Sequence, residues 1–184
     1  MEYYRKIQLK DGRDCILRNG TAEDGSAVLE CFDLTHGQTD NLLTYPEENS
    51  FTAEAEEQFL RMKTESPDEI EILAEVDGYV AGTAGFGKVG DKMKIRHRAE
   101  FGISVDKEYW GLGIGKALTS ACVECAKKAG LVQLELDVVS DNTNAISLYE
   151  KAGFKEYGRN PMGFRRKDGS FQELVLMRLE LDRA

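Results

Sequence analysis

A chain of 184 residues, 41% hydrophobic and 31% charged, has the size and balance of one compact domain spanning residues 1–184. Such a chain buries roughly 70% of its extended-chain surface, which excludes a disordered or fibrous protein and a core that depends on disulfides or metal. The formal charge of −9 disfavours nucleic acid and anionic membrane as partners, since both are held by Lys and Arg neutralising phosphates.

The start, Met1-Glu2-Tyr3-Tyr4-Arg5-Lys6, lacks the basic-then-apolar pattern of a leader, and no apolar run reaches the ~20 residues of a membrane helix, so a cytoplasmic protein is expected. A short strand is expected around Cys15–Arg18. Thr21 then stands as an N-cap before Ala22–Thr35, where Ala27, Val28, Cys31, Phe32 and Thr35 recur at helical spacing. After a polar loop, Ser50 or Thr52 caps a second helix that runs to about Glu65, with Glu54, Glu56 and Glu57 in its early turns, where the helix dipole favours acids. Ser66-Pro67 ends it. Asp77-Gly78 between Ile70–Val76 and Val80–Phe86 predicts an antiparallel hairpin, and a further hairpin leads through a basic stretch into Ala99–Val105.

The next helix is expected to start within the glycine cluster at 111–115 and to run to Lys128, closed by Gly130. Leu131–Val139 alternates as a strand, Thr143–Ala152 makes a short helix closed by Gly153, and Phe154–Gly158 with Phe171–Leu181 form a last strand pair. The fold class is therefore α/β, a mixed sheet in a single domain, with strand–helix crossovers only in the C-terminal half.

Charge is unevenly spread. From Glu47 to Asp77 eleven acids stand against Arg61 and Lys63, whereas Lys88, Lys92, Lys94, Arg96 and Arg98 are offset only by Asp91; both runs read first as solvated surface. Cys122 and Cys125 spell a C-x-x-C, but His36 and His97 are too distant in sequence to complete a zinc set. The 4, 4, 3 spacing of Ile114, Leu118, Cys122 and Cys125 puts both thiols on an apolar helix stripe, so core packing is the expectation and no metal is called for.

The stretch Tyr109-Trp110-Gly111-Leu112-Gly113-Ile114-Gly115-Lys116 follows a strand and opens a helix. Alternate glycines let backbone N–H groups converge at the positive helix end, an arrangement suited to a phosphate or pyrophosphate. A Walker A loop fails, because Trp110 and Ala117 stand where the first glycine and the hydroxyl belong. The dinucleotide fingerprint G-x-G-x-x-G fails as well, with Lys116 or Leu118 at its third glycine.

From His97 to Phe154 the sequence resembles the acetyl-CoA-binding core of the GNAT superfamily of N-acetyltransferases, and most closely its ribosomal-protein-alanine, amino-acid and phosphinothricin acetyltransferase-like branches. The family loop [QR]-x-x-G-x-[GA] is met at Gly113 and Gly115, and N-x-x-A-x-x-L-Y-x-x-x-G-F at Asn142, Ala145, Leu148, Tyr149, Gly153 and Phe154. The resemblance implies a GNAT-like acyl-CoA N-acyltransferase fold. It further implies that Ile103 and Val105 hold a pantetheine arm through their backbone, that Gly111, Leu112, Gly113, Ile114, Gly115 and Lys116 hold a pyrophosphate, and that Asn142 bonds the cofactor near its thiol. Tyr149 carries over as proton donor to the departing thiolate, and Glu100 or Asp137 as the base, unless either is a solvated strand carboxylate. Trp110 departs from the family's Gln or Arg; its indole stacks on the cofactor, packs under the loop, or lies in the core.

What the resemblance implies is acetyl transfer from acetyl-CoA to a small primary amine, such as an amino acid, a polyamine or an amine toxin, without a metal. The acidic segment 47–77 favours a cationic acceptor. Acetylation of a protein N terminus and a non-catalytic acyl-CoA-binding module are the alternatives, and a homodimer is compatible with each.

Overall fold

Among the described residues, eight strands form one sheet, and four helices whose apolar residues recur at a period of 3.6 cover its two faces. The computed structural model describes residues 1–181. The strands are β1 (Tyr4–Gln8), β2 (Asp14–Asn19), β3 (Ile70–Val76), β4 (Tyr79–Lys88), β5 (Arg98–Val105), β6 (Gln133–Val139), β7 (Lys155–Arg165) and β8 (Phe171–Glu180). The helices are α1 (Gly25–Gly37), α2 (Ala53–Glu65), α3 (Ile114–Lys128) and α4 (Thr143–Ala152). Strand order is β1-β2-β3-β4-β5-β6-β8-β7. All neighbours are antiparallel except β5 and β6, which are parallel across the α3 crossover.

The expected hairpin at Asp77-Gly78 is present, with both residues at positive φ (52° and 80°), as a two-residue turn of this type demands. Thr52 caps α2 by accepting from the Ala55 N–H at 3.3 Å. The first helix differs from expectation: Ala22–Asp24 is a 3-10 turn, and α1 proper runs Gly25–Gly37. The Asp24 carboxylate reaches back to the Thr21 N–H at 2.8 Å and also takes Arg18 Nη1 at 2.7 Å, so side-chain bonding tightens this first turn. Strand β1 was not foreseen, because only Ile7 among its five residues is apolar; it is an edge strand with one neighbour, β2. A turn at Asp168-Gly169 precedes β8, and β7 extends well past Gly158 to Arg165.

Two apolar clusters hold the sheet. On one face α3 buries Ile114, Leu118, Cys122 and Cys125 against Ile72, Ala84 and Phe86, so both thiols are packed in the core as their spacing implied, and all four cysteines are free. On the other face α1 and α2 pack Val28, Cys31 and Leu60 on Leu73 and Val80. Leu118 has no accessible surface. Leu118→Ala should therefore cost about 2–5 kcal/mol of unfolding free energy through lost transfer and a residual cavity, read as a lowered urea midpoint with an unchanged slope.

Candidate active site

Strand β5 stays beside β6 for three pairs only, Arg98↔Gln133, Ala99↔Leu134 and Glu100↔Glu135. Beyond Glu100, β6 continues along β8 to Val139↔Leu174, while β5 continues along β4 to Val105↔Gly82. A wedge therefore opens between two strands that remain ordered by their other neighbours. Val89 N–H donates to Arg98 O at 3.1 Å and Asp106 N–H to Ala81 O at 2.9 Å. Even-numbered residues thus bond β4, and by alternation Ile103 and Val105 turn their N–H and C=O groups into the wedge.

The ring of Phe101, the first residue past the split, packs edge-on against Tyr149 with centroids 6.1 Å apart, and Phe154 lies 6.1 Å from Phe101 and 5.9 Å from Tyr149. This trio sits on the α3–α4 side of the wedge. Burial pushes the Tyr149 phenol up to about 12, so it keeps its proton at neutral pH.

At the open end of the wedge lies the glycine turn. Gly111 and Gly113 have φ of 77° and 110°, a region that disfavours any residue with a Cβ, and both face open space. The first rung of α3 is Ala117 N–H to Gly113 O at 3.1 Å, and Gly113 supplies no side-chain cap. The N–H groups of Ile114, Gly115 and Lys116 are therefore the unpaired donors of a helix N-terminus. Gly115 serves a different purpose: a Cβ there would press on Leu148 of α4 at 3.4 Å.

The turn is held from outside. Buried Asp106 accepts from Gln38 Nε2 at 2.9 Å, Tyr79 Oη at 2.9 Å and Glu108 N–H at 3.1 Å, while Gln38 Oε1 takes the Lys107 N–H at 2.8 Å. Burial opposes ionisation of Asp106, but these donors prevail and hold its carboxyl below the usual range. Trp110 is not in the core: it is half exposed, and its indole N–H donates to Val105 O at 2.7 Å. One of the two wedge-facing residues thus has its carbonyl already engaged, which leaves the Val105 N–H and both polar groups of Ile103.

On the opposite face, under α1, α2 and the 42–51 loop, is a cavity of about 600 Å³. Glu100, Gly102 and Ser104 of β5 line it, as do Glu71, Thr83 and Gly85 from β3 and β4, with Val28, Phe32 and Phe59 among its apolar walls. The split strand therefore separates an apolar, acid-lined chamber from the glycine turn. Glu100 lines this chamber, whereas Asp137 lies outside it, exposed on β6; burial, then the nearby Glu135, raises the Asp137 carboxyl. Asn142 caps α4 by accepting from the Ala145 N–H at 3.3 Å, and its –NH2 takes no part in the cap. Sequence reasoning missed Glu71, Glu56 and the Gln38–Asp106 pair. The only signal for the two glutamates was the acidic run itself, and the Gln38–Asp106 contact joins residues 68 apart.

The acetyltransferase (GNAT) family model matches residues 36–154. The L-amino acid N-acyltransferase MnaT of Escherichia coli is 28% identical over 111 residues, which cover 60% of this chain and 64% of that protein. A GNAT-family acetyltransferase of Streptococcus pneumoniae superposes with a TM-score of 0.87 at 26% identity, covering 90% of this chain and 99% of its own. A Salmonella typhimurium structure holding acetyl-CoA as its cofactor has the same fold, with a TM-score of 0.81 at 21% identity over 91% of this chain and 94% of its own. The chain spans 37 to 64% of the length of the first curated relatives it matches. With a match that covers more than half of its residues, the chain belongs to the acetyltransferase (GNAT) family.

Proposed function

We propose that this protein transfers the acetyl group of acetyl-CoA to a primary amine of a small molecule. The observation that carries the reading is the wedge between β5 and β6, with free amide donors at one end and a chamber opening on its other face. The donors at Gly113, Ile114, Gly115 and Lys116, with Gly111 and Leu112 shaping the approach, fit a pyrophosphate. The unpaired polar groups of Ile103 and the Val105 N–H fit an amide-bearing arm laid in the wedge as a further strand, and the Asn142 –NH2 is a donor at the start of α4. Tyr149, protonated and packed beside the split, suits delivery of a proton to a departing thiolate, and its retention argues against a purely binding module. Glu100 is the better candidate base of the two first considered, because it lines the chamber and Asp137 does not.

An apolar chamber lined by glutamates supports a small amine as the acceptor. The L-amino acid acyltransferase relative supports the same class of reaction. Thiol release from acetyl-CoA, followed across a panel of amines and peptides, tests this reading; tight coenzyme binding with no turnover on any of them would overturn it.

Two substitutions separate binding from chemistry. In Gly113→Val a β-branched side chain is forced onto φ 110° in the path of the phosphates. The KM for acetyl-CoA should rise at least ~10-fold, while kcat with saturating cofactor changes less. Tyr149→Phe should lower kcat by ~10²-fold with little change in that KM. An unaltered kcat would remove the phenol from the acid role.

A further inference from the structure

The chamber's electrostatics are lopsided. Glu48, Glu56, Glu71 and Glu100 all line it, and none of the four makes an ion pair among the described residues. Glu56 is only 7% exposed, and burial raises its carboxyl, a cost that a visiting cation would offset. The single ammonium in the lining, Lys63, is already held by Glu69 at 3.0 Å and by Phe86 O at 3.0 Å. Burial lowers the pKa of His36, so that imidazole is neutral at physiological pH. No cation in the lining is therefore left free to pair with a carboxylate.

Backbone register shows where Glu71 points. Glu71, Gly85 and Gly102 lie in one row across β3, β4 and β5. The Glu71 carboxylate lies over Gly85, where a Cβ would collide with Oε2 and stand 2.6 Å from Ile70 O. Next in the row, Gly102 has nothing within 4 Å of its missing Cβ. Two glycines thus floor a trench from the carboxylate to the edge of the split. At ~4.8 Å per strand, the split lies about two strand widths, ~10 Å, from the Glu71 backbone, and the side chain leans along that line. Glu71 retains some accessible surface, which belongs to the chamber it lines.

We propose that Glu71, supported by Glu56, receives the acceptor's ammonium, and that the acceptor is a hydrophobic-bodied primary amine without a carboxylate. This deepens the proposed function and rests on it. In the transfer, the Glu100 carboxylate, at the last pair before the split, takes one proton from the ammonium that Glu71 holds and later releases it to water. The freed nitrogen forms the C–N bond to the acetyl carbon as the C–S bond breaks. The second nitrogen proton replaces, through water, the one that Tyr149 gives to the thiolate.

The test uses matched pairs that differ only in the carboxylate: tyramine against tyrosine, phenethylamine against phenylalanine, cadaverine against lysine. Binding of each to the intact protein saturated with coenzyme A is measured by calorimetry, and turnover by thiol release with acetyl-CoA. The expected result is at least tenfold tighter binding, and at least tenfold higher kcat/KM, for the decarboxylated member. Equal or reversed preference in binding overturns the inference. Amines that bind selectively but are never acetylated overturn the transferase reading and leave the subsite standing.

A second readout uses pH. Burial, opposed by Lys63 and Thr83 and reinforced by Glu56, pushes the Glu71 carboxyl from 4.5 up to about 7; Glu100 from β5 and His36 from α1 face the same space. A raised carboxyl stabilises the fold fully below about pH 4.5 and loses that contribution as pH rises through 7. Glu71→Gln should therefore raise Tm at pH 8 more than at pH 5, and the amine that stabilises the unmodified protein at pH 8 should no longer stabilise this variant. An amine-induced Tm shift that survives in Glu71→Gln, with the variant folded, overturns the role of Glu71.

Discussion

The divergence of β5 from β6 after Glu100 is the constraint from which the site follows. A parallel ladder abandoned midway normally leaves unpaired backbone groups at a cost of a few kcal/mol. Here each strand keeps its outer neighbour, β4 or β8, so both stay ordered while their facing edges stay open. Three aromatic rings, Phe101, Tyr149 and Phe154, pack beside the place where the ladder stops and brace the opening. The amides that face the wedge are therefore preorganised, and a chain laid between the strands gains hydrogen bonds without first breaking any.

The two faces of the split strand carry opposite electrostatic offers. Toward α3, helix-end N–H groups and Lys116 favour a polyanion; toward α1 and α2, glutamates in an apolar chamber favour a cation. The proposed anionic donor and cationic acceptor would thus approach a common edge from different sides, each disfavoured at the other's place. In the proposed transfer, that separation would let the acceptor nitrogen meet the acyl carbon without either ligand blocking the entry of the other.

Rigidity of the glycine turn comes from outside the turn. Gln38, at the end of α1, bonds both Asp106 and the Lys107 N–H, and Tyr79 from β4 bonds the same carboxylate. Trp110 ties the far side of the turn to Val105. The indole stands where the family has Gln or Arg, and what it contributes is a bond to the wedge edge rather than a charge. Helix α1, which walls the acid-lined chamber, is thereby joined directly to the end of the strand that borders the wedge.

Much of this was legible in local pattern. Thr52 before α2, Asp77-Gly78, the glycines at 111 and 113, and Gly153 after α4 each report a backbone geometry that neighbouring residues alone dictate, and all stand where they were expected. Strand β1 escaped because an edge strand with a polar composition has no period-2 signature, and the 3-10 start of α1 escaped because Asp24 bonding decides it. Trp110 could not be assigned, since whether an indole is buried depends on what lies above the loop. The chain by itself determined its helices, hairpins and glycine turn, for these rest on contacts a few residues apart. Only tertiary structure decided which carboxylates share one chamber: Glu71 is one acid in a run of eleven until sheet register sets it over Gly85, because burial and register are properties of strands brought together from distant parts of the chain.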